Sequence, residues 1–238
     1  MQIVIVIPTY NERENVPQLI PKIYKVFRKT KKTMNVLIVD DNSPDGTWKV
    51  VKTLQKEYNT LHLLRRPAKK GLGSAYRAGF TYAMENMNAA VIFEMDADLS
   101  HDPSLIPSFL QMITRDYDVV VGSRYIEGGS TVNWPLMRRI ISLGANMIAN
   151  LLLRLHMHDV TSGFRCYRRW VIEKIDIGSI TSEGYAFQEE MLFRAKKVHA
   201  RLGEIPIRFV ERSAGKSKLS KKEILYFFLK IVQLSLLS

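Results

Sequence analysis

Two carboxylates spaced i, i+2 close an apolar run in the stretch Val91-Ile92-Phe93-Glu94-Met95-Asp96-Ala97-Asp98-Leu99-Ser100-His101. A run of Val, Ile and Phe of this length reads as a buried strand. Asp98 to Pro103 reads as a turn and a helix start. Asp96 and Asp98 then stand at the carboxyl end of a strand, the edge where open α/β sheets bind ligands. Two carboxylates held together repel each other unless a cation lies between them. Hard cations such as Mg2+ or Mn2+ take oxygen ligands and share their remaining positions with substrate phosphates. The pair therefore suggests a metal–diphosphate site. The plainer alternative is one Asp capping the next helix and the other solvated in a turn.

The pair needs a sheet to hold it. Ile3 to Ile7 is a β-branched run and reads as a buried strand, ending at Pro8-Thr9-Tyr10-Asn11-Glu12. Val16, Leu19, Ile20, Ile23 and Phe27 follow at helical spacing, with Pro17 suited to a first turn. Val36 to Val39 is a second strand, closed by Asp40-Asp41-Asn42-Ser43-Pro44-Asp45-Gly46, and Thr47 to Tyr58 the next helix. Leu61 to Leu64 is a third strand, which leads through the basic loop Arg65 to Ala75 into a helix. After the Asp pair come a helix, Leu105 to Ile113, and a strand, Tyr117 to Val121, ending in Gly122-Ser123-Arg124-Tyr125. Such alternation with short connections predicts a mostly parallel α/β sheet with helices on both faces.

Beyond Tyr125 the alternation stops. Glu127 to Pro135 reads as a loop, Leu136 to Leu155 as an amphipathic helix, and Asp159 to Arg168 as irregular. Glu183 to Val198 is helical, Leu202 to Val210 a strand, Arg212 to Lys222 a polar loop, and Glu223 to Leu237 an apolar helix. His101 reads as a helix-start residue.

The totals narrow the function classes. The 238 residues carry 35 Lys and Arg against 23 Asp and Glu, a net charge of +12, which implies anionic partners. No interleaved aromatic and basic surface supports a nucleic-acid-binding module. The G-x-G-x-x-G fingerprint is absent, and Gly215-Lys216-Ser217 lacks the earlier glycine of a P-loop. The single Cys166 excludes an intrachain disulfide and fits a reducing compartment. No signal peptide is expected, and the apolar C-terminal stretch, interrupted by Lys230, predicts no transmembrane helix.

Taken in order, Pro8-Thr9-Tyr10-Asn11-Glu12, Asp40 to Gly46 and Asp96 to His101 resemble the nucleotide-sugar half of inverting family-2 glycosyltransferases of the GT-A fold. Gly122-Ser123-Arg124-Tyr125, Asn133-Trp134-Pro135, Ser162-Gly163-Phe164-Arg165 and Gly215-Lys216-Ser217-Lys218-Leu219 narrow the resemblance to polyprenol-phosphate (dolichol-phosphate) mannosyltransferases. The resemblance implies one Rossmann-like GT-A domain over 1–238, with a nucleotide-sugar half (1–125) and an acceptor-facing half (126–238). Mannose would pass from GDP-mannose to dolichyl (polyprenyl) phosphate, for protein glycosylation. The near alternative is a UDP-glucose-dependent polyprenyl-phosphate glucosyltransferase.

By the same resemblance, Pro8, Tyr10, Glu12, Val39 and Asp41 would hold guanosine and ribose. Asp96, Ala97 and Asp98 would meet Mg2+ or Mn2+ and the diphosphate. Ser100 stands where some relatives carry a ligating Gln, and its shorter side chain leaves room for a water. Arg124, Arg138, Arg212 and Lys218 would approach phosphates, with Asp98, Arg124 and Arg138 as the catalytic set. Ser162 would line the acceptor site, and Glu190 would orient the acceptor or a basic side chain. The implied location is a membrane surface on its cytosolic face (endoplasmic reticulum or cell membrane), reached through the basic loop and last helix or small anchoring subunits.

Overall fold

The computed structural model describes residues 1–30, 32–210 and 221–236. In chain order the elements are β1 (Ile3–Thr9), α1 (Val16–Phe27), β2 (Met34–Asp40), α2 (Thr47–Leu54), β3 (Leu61–Arg65), α3 (Leu72–Asn86) and β4 (Val91–Glu94). There follow α4 (Ile106–Thr114), β5 (Val119–Ser123), β6 (Ser130–Val132), α5 (Leu136–Leu153), β7 (Arg165–Arg168) and α6 (Arg169–Lys174). The chain continues with α7 (Tyr185–Lys197), β8 (Leu202–Pro206), β9 (Arg208–Val210) and α8 (Lys221–Ser235).

Seven strands form one sheet in the order β3-β2-β1-β4-β7-β5-β8. All run parallel except β7, which is antiparallel to both β4 and β5. The first three strands wind outward one way from β1 and the chain then returns to β4 on its other side. That reversal is the switch point where α/β sheets open a ligand crevice. Strand pleating sends Ile3, Ile5 and Ile7 to one apolar core, with α1 and α4, and Val4 and Val6 to the other, with α3, α7 and α8. Both faces are covered, as the alternation predicted.

Three expectations fail. Within the stretch read as a loop, Ser130–Val132 is a strand. Part of the stretch read as irregular, Arg165–Arg168, is an internal strand. The segment read as one strand from Leu202 to Val210 is two: β8 ends at Pro206, and β9 pairs with β6 in a separate two-stranded sheet. Proline has no N–H to continue a ladder.

α5 is an amphipathic helix, as the sequence predicted. Among the described residues it is the one helix of 18 residues apolar enough, at a mean hydropathy of 1.3, to cross a membrane by length and composition. It nevertheless lies along the domain. Ser142, Asn146 and Asn150, spaced i, i+4, i+8, hydrogen-bond inward to Tyr125, Val160 and Met157. Leu136, Ile140, Leu143, Met147 and Leu151 are exposed. The helix therefore turns its polar stripe in and its apolar stripe out.

Candidate active site

The carboxyl ends of β1, β2 and β4 lie side by side, with Thr9 in register with Asp40. Asp40 is a structural residue. Its buried carboxylate accepts the Thr9 and Ser43 hydroxyls and the Ser43 N–H, which ties the two strand ends together. Asp41 is also buried and pairs with Arg66 at 2.9 Å. Burial raises the Asp41 pKa, opposed by the Arg66 guanidinium. Tyr10 presents an aromatic ring, one face of which carries the Lys69 ammonium at 4.0 Å. Pro8 lies half-buried at the end of β1. The Glu12 carboxylate accepts the Asn15 amide while its backbone N–H donates to Thr47. The side chains of Val39 and Ala97 sit in the cores, so only their backbone can face a nucleotide.

Arg66 is a residue the sequence reading passed over. It is buried, and neither its Nη1 nor its Nη2 has a hydrogen-bond partner among the described residues. Arg65-Arg66-Pro67 directly after a strand was the available signal.

At the end of β4 the chain turns sharply. Leu99 takes φ +65°, a left-handed conformation that strains a branched residue. Asp98, itself buried, accepts both the N–H and the hydroxyl of Ser100, at 3.1 and 2.5 Å. Asp96 is partly exposed, and the buried Tyr76 hydroxyl donates to its Oδ1 at 3.4 Å. His101 does not start the helix. Asp102 caps the turn that follows, accepting the Ser104 N–H. The His101 ring is buried, stacks on Phe164 at 5.0 Å, and accepts the Asp96 N–H through Nδ1 at 3.1 Å. It is thus a support for Asp96.

Behind the pair, Arg165 lies wholly buried and donates to the carbonyls of Val160, Ser162 and Gln188. Burial pushes the carboxyls of Glu94 and Glu189 up, to about 7 and about 8, against the pull of Arg165. The Ser162 hydroxyl is buried and has no hydrogen-bond partner among the described residues.

On the far side, Arg124 is buried against Asp159, with Nε and Nη2 each donating at 2.6 Å to a different carboxylate oxygen. Burial alone would raise the Asp159 pKa, but the Arg124 charge and hydrogen bonds take it below the usual range. Trp134 brings the two predicted arginines together: Arg138 lies 4.2 Å and Arg124 5.1 Å from its ring centre. Glu190 turns to basic side chains, pairing with Arg194 at 2.7 Å and Lys230 at 3.2 Å, which ties α7 to α8. Hydrogen bonds from Ser182, Arg194 and Lys230 lower its pKa despite burial. Arg212 and Lys218 lie outside the described residues.

No three His, Cys, Asp or Glu side chains form a metal cage among the described residues. A Mg2+ or Mn2+ shared with phosphates needs only one or two carboxylates. Asp96 and Asp98 supply these at the switch point, so the donor set fits such an ion.

Residues 4–176 match the sequence profile of glycosyl transferase family 2. The chain belongs to that family. An undecaprenyl-phosphate mannosyltransferase of Micrococcus luteus is 42% identical over 220 residues, spanning 92% of this chain and 88% of the relative. A polyprenol monophosphomannose synthase of Mycolicibacterium smegmatis is 39% identical over 230 residues, spanning 96% and 85%. Among solved structures, the family-2 chain resembles glucosyl-3-phosphoglycerate synthase of Mycobacterium tuberculosis in complex with Mn2+, UDP and phosphoglyceric acid. There the TM-score is 0.70 at 13% identity, covering 98% of this chain and 78% of the other. A mannosyltransferase from Pyrobaculum calidifontis in complex with GDP-Man and Mn2+ matches with a TM-score of 0.61 at 14% identity, covering 90% and 58%. These likenesses establish the GT-A fold, and the curated relatives establish the polyprenol-phosphate mannosyltransferase kinship read from the motifs.

Proposed function

We propose that this family-2 enzyme transfers mannose from GDP-mannose to a polyprenyl phosphate, with inversion, at a membrane surface. The reading rests on one arrangement: a carboxylate pair at the switch point, and two arginines gathered on Trp134, which Phe209 joins to the His101 ring beside the pair. Two relatives named for mannose transfer to polyprenol phosphates, each covering most of the chain, support the substrate class.

The chemistry asks for charge control and little proton transfer. Asp96 and Asp98, with Ser100 braced on Asp98, would hold a Mg2+ or Mn2+, which would supply positive charge against the diphosphate leaving group. A phosphate monoester has a second pKa of about 6, so the acceptor is already a nucleophile at neutral pH. A protein base is not obligatory. Glu190, committed to Arg194 and Lys230, is poorly placed to act as one. Arg138 supplies positive charge for an incoming phosphate, Arg124, paired with Asp159, shares the Trp134 ring with it, and Tyr10, Asp41 and Arg66 suit the nucleoside.

The acceptor's tail stays in the bilayer, so the enzyme must come to it. The outer face of α5 is apolar, with Arg138 and Arg139 near one end and the exposed Arg154, His156 and His158 past the other. Apolar area between cationic ends suits an anionic lipid interface.

The test is radiolabelled GDP-mannose with a short polyprenyl phosphate, scored for lipid-phase product. Product should form with Mn2+ or Mg2+ and vanish with EDTA. Asp96→Asn with Asp98→Asn should lower the rate at least about a hundredfold in a folded protein. Undiminished synthesis by that double variant would overturn the reading.

A further inference from the structure

Gly163, in the loop before β7, is half-exposed, and its φ lies outside the left-handed region, so backbone conformation does not call for glycine. Internal packing does not call for it either. At Gly79 or Gly203 a methyl group would collide with Val6 or Tyr117. At Gly163 its nearest neighbours would be Asp96 Oδ2, Gln188 Nε2 and His101 Cε1, each at 3.8 Å, an ordinary contact distance. Three segments thus converge on one methyl-sized notch that the protein leaves open beside the metal-binding carboxylate. Gln188 is 3% exposed, and its Oε1 has no hydrogen-bond partner among the described residues. Ser162, next to the notch in the chain, is equally buried and its hydroxyl equally unpartnered.

We propose that this notch receives one edge of the hexose of the sugar nucleotide, and that Gly163 and Gln188 set the fit of that sugar. The inference rests on the donor-binding reading above. The lining selects the ligand class. A phosphate in the notch with no cation between would be repelled by the Asp96 carboxylate, and a prenyl chain would strip that carboxylate of water. A neutral polyol does neither: one hydroxyl donates to Asp96 and accepts from the Gln188 amide. Buried carboxamides that meet substrate hydroxyls discriminate strongly, because a missing partner leaves them unpaired. Ser162 then belongs on the donor-sugar side of the centre.

The experiment compares affinities for GDP and GDP-mannose, and for UDP and UDP-glucose, all with Mn2+, in wild type, Gly163→Ala and Gln188→Met. Thermal midpoints and transfer kinetics accompany them. Gly163→Ala should fold as stably as wild type and bind the free nucleotide within about twofold. Its affinity for the sugar nucleotide should fall at least about tenfold, the scale of one misplaced methylene in a pocket. Gln188→Met should lose sugar-nucleotide affinity in the same selective way. An unchanged ratio of sugar-nucleotide to nucleotide affinity in Gly163→Ala, with unchanged kcat/KM, would overturn the notch assignment. A wild type that prefers UDP-glucose would overturn the mannose donor alone, the notch then being judged on the UDP pair. A wild type that binds neither sugar nucleotide would overturn both.

Discussion

His101 holds Asp96 by its backbone, through the N–H that its Nδ1 accepts, and is itself held by stacking on Phe164. The turn it braces contains the strained Leu99, so the carboxylate pair depends on bonds that fix a disfavoured backbone. His101→Phe keeps a stacking ring and leaves the Asp96 N–H without its acceptor. An unpaired buried amide costs about 1–3 kcal/mol, so the denaturation midpoint should drop and Mn2+-dependent GDP binding should weaken. His101→Asn, which retains an acceptor, should recover part of both. A His101→Phe protein with unaltered stability and nucleotide affinity would remove His101 from the support of the site. Glu189 makes a different prediction. Its folded pKa, about 8, lies above the 4.5 of an unperturbed Glu. The folded state therefore holds the proton more tightly, and its stability is complete below pH 4.5 and declines as pH rises towards 8. The loss is up to about 1.4 kcal/mol per pH unit for one proton. Glu189→Gln should flatten the decline of thermal midpoint between pH 6 and 8, and identical slopes would count against a buried neutral carboxyl there.

α5 carries its information in an inverted pattern. Asn146 accepts the Val160 N–H at 2.6 Å and donates to the Thr161 hydroxyl, which in turn accepts from Arg124 at 2.6 Å. The helix that faces outward with apolar side chains is thus two hydrogen bonds from Arg124, an arginine of the candidate site. Asn146→Leu should cost about 1–3 kcal/mol through unpaired buried groups and lower kcat for the lipid acceptor while leaving GDP affinity intact. Loss of GDP affinity in step with kcat would mean that the helix merely supports the whole fold. The i, i+4, i+8 spacing of Ser142, Asn146 and Asn150 marks a polar stripe in the sequence, but its inward direction was not legible, because apolar residues are expected to face the core. β1 to β5 were legible because continuous β-branched runs between turn residues have few other readings. β7 was hidden: Arg165-Cys166-Tyr167-Arg168 is short and charged, and it takes the Val160, Ser162 and Gln188 carbonyls, with the nearby Glu94 and Glu189, to make a buried arginine tolerable there. The division of β8 from β9 was signalled by Pro206. Of the candidate site, the carboxylate pair stood out by type and spacing, and Arg124 and Arg138 through the motif resemblance. Tyr76, Arg66, Asp159 and the role of His101 did not, since each reaches the site through a contact far along the chain or a loop geometry that spacing does not encode.

At the scale of the whole molecule, net charge and apolar surface act together. An excess of 12 positive charges draws the protein to any anionic surface, but charge alone gives weak, salt-labile binding. The exposed face of α5 adds apolar area, and the last helix adds Tyr226, Leu229 and Val232 while its buried side, Phe227, Ile231 and Leu234, holds it to the core. Each basic residue near an anionic membrane contributes about 1 kcal/mol, and buried apolar surface about 25 cal/mol per Å2. Vesicles containing anionic lipid should therefore bind the protein, neutral vesicles should bind it less, and raising salt from about 0.1 to 0.5 M should weaken but not abolish binding. Met147→Glu with Leu151→Glu removes exposed apolar contacts and adds repulsion without touching the core. It should cut vesicle binding at least about tenfold at an unchanged thermal midpoint, and depress transfer to a long-chain polyprenyl phosphate in vesicles far more than to a short one in detergent. Equal losses with both acceptors would place these two residues in the chemistry itself. Undiminished vesicle binding would show that α5 does not meet the bilayer.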